Sequence, residues 1–90
     1  MDVSFKPVFF RDFTALPSDV KIEVKYLCET IFPGLKSLRE LTNYPTKPIA
    51  GFKHYYRIKV GDYRVGFKFT GSVVEFMRVK HRKDIYRHFP

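Results

Sequence analysis

Arg57 and Lys59 in one short segment, and Arg64 and Lys68 in the next, alternate with apolar residues, and no carboxylate interrupts either segment. Cations repeated without acids suit a polyanion, and guanidinium groups grip phosphate through two parallel hydrogen bonds. A second group of chemically capable side chains follows in Lys80-His81-Arg82-Lys83 and at Tyr86 and His88. If the polyanion is RNA, these residue types cover a cleavage that asks for no metal and no cofactor. A base removes the 2′-hydroxyl proton, the oxygen attacks the adjacent phosphate, cations stabilise the phosphorane, and a donor protonates the departing 5′-oxygen. Positive charge around a phenol favours its phenolate, which would make Tyr86 the base. Arginine and lysine side chains would supply both the charge stabilisation and the acid. Further RNA contacts would fall to Tyr55, Lys68, Lys53, Lys80, His81 and His88.

Each residue also has a plainer reading. Alternating charge is what a solvated strand face shows, Arg82 can belong to a charged run that closes a strand, and Tyr86 can anchor the tail with its ring. His81 and His88 can be ordinary surface residues, and His54 offers nothing specific.

The elements that must position these groups begin with a hairpin. Residues 55–60 and 63–69 alternate apolar and polar with period two, and Gly61-Asp62 suits a two-residue turn. Such a turn fixes the register: Val60 faces Tyr63, Lys59 faces Arg64, Ile58 faces Val65, Arg57 faces Gly66, Tyr56 faces Phe67 and Tyr55 faces Lys68. One face is then apolar, and the other carries Tyr55, Arg57, Lys59, Arg64 and Lys68 with a gap at Gly66. Lys59 opposite Arg64 costs up to ~1 kcal/mol, a repulsion that a polyanionic ligand would relieve. Gly71-Ser72 reads as a second two-residue turn, placing Lys68 against Glu75, Phe67 against Phe76 and Gly66 against Met77. That register turns Arg78 to the apolar face, which a bulge or a three-residue loop would correct.

Upstream, Val3 to Phe9 reads as an edge strand, with Pro7 unable to donate a ladder hydrogen bond. Phe10, Phe13 and Leu16 have the spacing of a short helix stopped by Pro17. Ser18 is a good N-cap for an amphipathic helix carrying Val20, Val24, Leu27, Cys28 and Ile31, ended by Phe32-Pro33-Gly34. Leu35, Leu38 and Leu41 suggest another helical turn, and Thr42 to Gly51 reads as a loop. Residues 82–89 form one helical turn that brings Tyr86 back over the sheet. The fold class is α+β, in the order β-α-α-β-β-β. An N-terminal strand and two or three helices pack on one face of an antiparallel sheet, and a short helical turn follows.

Ninety residues make a single domain, 1–90, which buries only ~60–65% of its unfolded surface and draws its core from ten Phe and six Tyr. Seventeen Lys and Arg against nine Asp and Glu leave a net charge of +8, so the partner carries many negative charges: nucleic acid, an anionic membrane or an acidic protein. No apolar run approaches the ~18–20 residues of a membrane span, and Met-Asp-Val-Ser-Phe-Lys-Pro lacks the apolar core of a signal peptide. A cytoplasmic protein is the expectation. Cys28, the only cysteine, has no internal disulfide partner and reads as a packed core thiol rather than a nucleophile. No His/Cys cluster has metal-ligand spacing, and no glycine-rich phosphate loop or internal repeat is present.

Three stretches carry a resemblance: Lys47-Pro48-Ile49-Ala50-Gly51, Tyr56-Arg57-Ile58-Lys59-Val60-Gly61-Asp62-Tyr63-Arg64-Val65, and Val79-Lys80-His81-Arg82-Lys83-Asp84-Ile85-Tyr86. Together with the helical first half they resemble the RelE/ParE toxin superfamily of type II toxin–antitoxin systems. The RelE-like branch, the resemblance implies, is a ribosome-dependent endoribonuclease, an mRNA interferase. It cleaves mRNA in the ribosomal A site, leaves a 2′,3′-cyclic phosphate, and so inhibits translation. A cognate antitoxin holds it inactive, no membrane is involved, and DNA is touched only through the antitoxin complex. Carried over by motif, the branch's basic positions fall on Arg57, Lys59, Arg64 and Arg82, and its C-terminal tyrosine falls on Tyr86. The stretch between Arg82 and Tyr86 is shorter than in the best-known RelE proteins. Some ribosome-dependent relatives use a C-terminal histidine, which keeps His81 and His88 as candidates. The ParE-like branch shares the fold, poisons DNA gyrase and needs no nuclease site; a third reading is a non-catalytic RNA-binding module.

Overall fold

The computed structural model describes residues 1–90. In chain order they form β1 (Asp2–Phe5), α1 (Pro7–Thr14), α2 (Ser18–Tyr26), β2 (Thr46–Pro48), β3 (Tyr55–Val60), β4 (Tyr63–Thr70) and β5 (Val73–His81). The hairpin forms as its turn chemistry dictates. Gly61 takes a φ of +58°, a left-handed value that costs glycine nothing, and every pair expected from Val60 facing Tyr63 to Tyr55 facing Lys68 is present. The second turn is also two residues long, with Thr70 opposite Val73 and Lys68 opposite Glu75.

The five strands lie in the order β1-β5-β4-β3-β2. The α+β architecture is the one expected, with three local corrections. The first strand stops at Phe5, because Pro7 is used where its missing N–H is harmless, in the first turn of α1. β1 then pairs parallel with β5, and the connection between them carries both helices. Thr46–Pro48, expected within a loop, pairs antiparallel with β3 as the outermost strand. An edge is the place where prolines such as Pro48 are tolerated.

The third correction is in β5. Phe76 faces Phe67 as predicted, but Gly66 faces Arg78 rather than Met77, so Met77 is the extra residue of a β-bulge. The inserted residue inverts the alternation beyond it. Val79 joins the core opposite Val65, and Arg78 and Lys80 are turned away from it.

The core fills the space between the helices and the apolar sheet face. Ile58, Val60, Val65, Phe67, Val74, Phe76 and Val79 meet Phe9, Leu16, Val24, Leu27, Cys28, Phe32 and Leu35. Each large side chain so buried contributes roughly 1.5–3 kcal/mol, and aromatic edge contacts add to this: Phe32 meets Phe67 and Phe76 edge to face at 5.4 and 5.0 Å. Phe10, placed by its spacing on the buried side of the first helix, is 54% exposed, and Phe9 takes the core position. α2 widens into a π-type turn over Leu27–Ile31, where the Phe32 N–H donates to the Leu27 carbonyl, and finishes at Phe32–Gly34. Pro33 lacks the N–H that a regular last turn would use. The expected turn at Leu38 is a single 3-10 turn, closed by a capping box of Ser37 and Glu40. No helix is long and apolar enough to cross a membrane.

Candidate functional site

The helices cover one sheet face, so the other is free to display what the hairpin register places there. Arg57, Lys59 and Arg64 line a cleft of about 200 Å³ together with Pro45 and Lys47. Lys47 was not among the residues singled out from sequence. It arrives because β2 pairs Lys47 with Arg57; its local signals are a short segment framed by Pro45 and Pro48 and its place at the head of the first stretch that carries the resemblance.

Arg64 folds back on the hairpin, where its Nη1 donates to the Gly61 and Tyr63 carbonyls at 2.9 Å each. Burial, then the charges of Arg57 and Arg82, pull its pKa below the ordinary value, with Asp62 opposing them. The three arginines thus lie in one electrostatic neighbourhood. Arg82 is pinned at its edge, its N–H donating to the Asp62 carbonyl at 2.8 Å and its Nε 3.8 Å from the Asp62 carboxylate. A ligand anion here gains from charges already held together against their mutual repulsion.

Tyr86 comes from outside the sheet. The 3-10 turn Ile85–Arg87 presents its ring to Arg57, whose Cζ lies 5.4 Å from the ring centroid. Tyr86 is 59% exposed. Tyr86 therefore does not anchor the tail with its ring; buried Ile85 and Phe89 do that. Phe89 also fills the gap at Gly66, its ring meeting Tyr55 edge to face at 5.8 Å.

The remaining candidates scatter. Lys68 lies over the Tyr55 ring, Nζ 5.6 Å from its centroid, and shares its end of the face with Glu75. Lys53 and His88 are exposed at the ends of the neighbouring segments. His81 sits opposite Tyr63, edge to face at 5.3 Å, which by register places it on the face of Val65 and Val79, away from the cleft. Its Nδ1 accepts from the Lys83 N–H. Lys80 is drawn toward α1, its Nζ 3.5 Å from Asp12. No three His, Cys, Asp or Glu side chains converge as metal ligands would.

Asp12 is the residue sequence reasoning missed altogether. Beyond Phe76 the outer edge of β5 has no strand beside it, and the Asp12 carboxylate stands in for one, accepting the Val79 N–H at 3.2 Å. It also accepts from Arg78 Nε at 2.7 Å and Nη2 at 3.1 Å. Burial works to raise its pKa, but the bonds from Arg78 and Val79 and the charges of Arg78 and Lys80 together hold it below the ordinary value. Asp12 thereby offsets part of the charge of Arg78 and Lys80 at the sheet edge, whereas Arg57, Lys59 and Arg64 form no salt bridge.

The deciding comparison is with protein families. A family model described as the ParE toxin of the type II toxin-antitoxin system, parDE, matches residues 3–86. The chain belongs to the RelE/ParE toxin family. The toxin RelE3 of Methanocaldococcus jannaschii is 38% identical to this RelE/ParE toxin over 90 residues, the full length of both. The RelB-RelE antitoxin-toxin complex from Methanococcus jannaschii contains a chain that matches at 33% identity with a TM-score of 0.77, covering 97% of this toxin and 99% of that chain. YafQ from E. coli, 20% identical with a TM-score of 0.71 over 91% and 93% of the two chains, shares the fold. The RelE/ParE toxin described here is thus the toxin component of a type II toxin–antitoxin system.

Proposed function

We propose that this toxin is an endoribonuclease that cuts mRNA on the ribosome and so stops translation. The observation that carries the reading is the approach of Tyr86 to Arg57 beside the cleft lined by Lys47, Arg57, Lys59 and Arg64: a phenol next to converging cations supplies a base and charge stabilisation for 2′-hydroxyl attack. In the proposed reaction the Tyr86 phenolate takes the 2′-hydroxyl proton and O2′ attacks the adjacent phosphorus. Arg57 and Arg64 neutralise the charge growing on the phosphoryl oxygens. The bond from phosphorus to O5′ then breaks, leaving a 2′,3′-cyclic phosphate and a 5′-hydroxyl that takes its proton from a neighbouring cation, Lys59 or Arg82. The residues present supply every proton this path moves. The ribosome's part would be to hold the message in line for attack.

A cognate antitoxin is the second partner. Its supports are the complexes in which this toxin's structural relatives were crystallised and a net charge of +8, which an acidic or amphipathic antitoxin segment would complement.

The test is to induce the toxin in growing cells, map mRNA 5′ ends and assay gyrase supercoiling in parallel. Codon-phased cuts that require translation are expected. Tyr86→Phe, which removes only the hydroxyl, should lower cleavage by ~10²–10⁴-fold. Intact mRNA with loss of supercoiling would replace this reading by gyrase inhibition.

A further inference from the structure

Beyond the Arg82 N–H bond to the Asp62 carbonyl and the Asp84 N–H bond to the His81 carbonyl, both at 2.8 Å, the chain after β5 has few ties of its own. Arg87 N–H reaches the Asp84 carbonyl at 3.1 Å, and the His88 and Phe89 N–H groups reach the Ile85 carbonyl at 3.0 and 2.9 Å. A chain end held by so little frays unless side chains fasten it. Two do: Ile85 is 1% exposed and Phe89 is 4% exposed, and they bracket exposed Tyr86 on either side.

The seat of Phe89 is specific. Its ring lies so close over the Gly66 α-carbon that a Cβ there would stand 2.6 Å from Cδ2 and 2.7 Å from Cε2 and Cγ. Gly66 is the position on β4 between Arg64 and Lys68, on the cationic face, and Phe89 is not part of the main core on the opposite side of the sheet. A buried phenyl ring on a face of cations does little for the core; it fastens the segment that carries Tyr86. The charged neighbours on both sides leave only the bare backbone of a glycine for it to rest on.

We infer that Phe89 is a positioning residue: seated in the notch that Gly66 leaves in the cationic face, it holds Tyr86 over Arg57. The inference rests on the reading of Tyr86 as the base. It makes the notch and the ring a matched pair, so the same loss should follow from removing the ring or from filling the notch. Gly66→Ala would push the ring back by about 1 Å to restore an ordinary carbon contact of ~3.5 Å. A displacement of that size, passed to a reacting group, costs on the order of 100-fold in rate.

The experiment measures kcat and KM for cleavage of ribosome-bound mRNA by Phe89→Ala, Phe89→Leu and Gly66→Ala. It is repeated in a Tyr86→Phe background and accompanied by nuclear Overhauser contacts between the Tyr86 ring and Arg57 in the free toxin. Phe89→Ala and Gly66→Ala should each lose about 100-fold in kcat with KM nearly unchanged, and both should lose the contacts. Phe89→Leu, which keeps an apolar plug, should retain most of the rate and the contacts. In the Tyr86→Phe background the further loss should vanish. Wild-type kcat in Phe89→Ala, or an equal loss with and without the Tyr86 hydroxyl, would overturn the inference. If Phe89→Ala does not fold, Gly66→Ala and Phe89→Leu carry the comparison. A wild-type toxin that cleaves no mRNA would refute the proposed function instead; the contacts then decide the positioning alone, and their survival in Phe89→Ala or Gly66→Ala overturns it.

Discussion

Asp12→Ala should destabilise this toxin more than the loss of one acidic residue from a chain of net charge +8 would suggest. The carboxylate is 3% exposed at its side chain and accepts from Arg78 and the Val79 N–H, with Lys80 alongside. Removing it leaves a strand-edge N–H without a partner and a guanidinium without its counter-charge. Breaking a buried ion pair costs ~3–5 kcal/mol. Arg78 and Lys80 keep 19% and 28% of their side-chain exposure, so water recovers part of this, and the lower end, about 3 kcal/mol, is the expectation. In a domain of this size each kcal/mol moves Tm by ~4–8 °C, which makes the shift roughly 12–24 °C. Urea and thermal melts of the wild type and variant at pH 7 measure it. The pH dependence supplies an independent check. Because the folded-state pKa lies below the ordinary 3.8, the contribution is fully present above that value and is lost as pH falls through the folded pKa. The gap between wild type and Asp12→Ala should be constant from pH 7 to about 5 and close below about 4. A loss under about 1 kcal/mol, the size of an exposed ion pair, would refute the argument that Asp12 substitutes for a missing strand; so would a gap indifferent to acid.

Two further outcomes follow from the site and the core. Lys47→Ala should reduce the salt dependence of binding to a short single-stranded RNA, lowering the slope of log K against log salt by about 0.7, one phosphate contact. An unchanged slope would remove Lys47 from the cleft's function. Burial, with a smaller contribution from Glu29, pushes the Cys28 thiol up to about 12, so the folded toxin should resist alkylation at pH 8 and react only when unfolded; prompt labelling of the native protein would contradict its burial.

Much of the cationic face was legible because it depends on neighbours in sequence. A two-residue turn at Gly61-Asp62 leaves one register available, and with it Arg57, Lys59 and Arg64 must share a face. The bulge left a fainter trace: Val74 and Phe76 are two apart, whereas Phe76 and Val79 are three apart, and that change of spacing is what one extra residue in a strand looks like. The same bulge puts His81 on the face away from the cleft, since it shifts every later side chain to the other face.

Local rules were enough for the hairpin, its two chemically opposite faces, the amphipathic helices and the turn that carries Tyr86. Turn geometry and apolar periodicity act over a few residues and can be read there. The folded chain alone brings Thr46–Pro48 to add Lys47 to the cleft, joins Asp12 to Arg78 across 66 positions of chain, and rests Phe89 on Gly66. Those contacts are chosen by which edges and notches remain open once the core has closed. An unpaired strand edge calls in a carboxylate, and a bare glycine admits a ring, at separations where no local pattern carries the information.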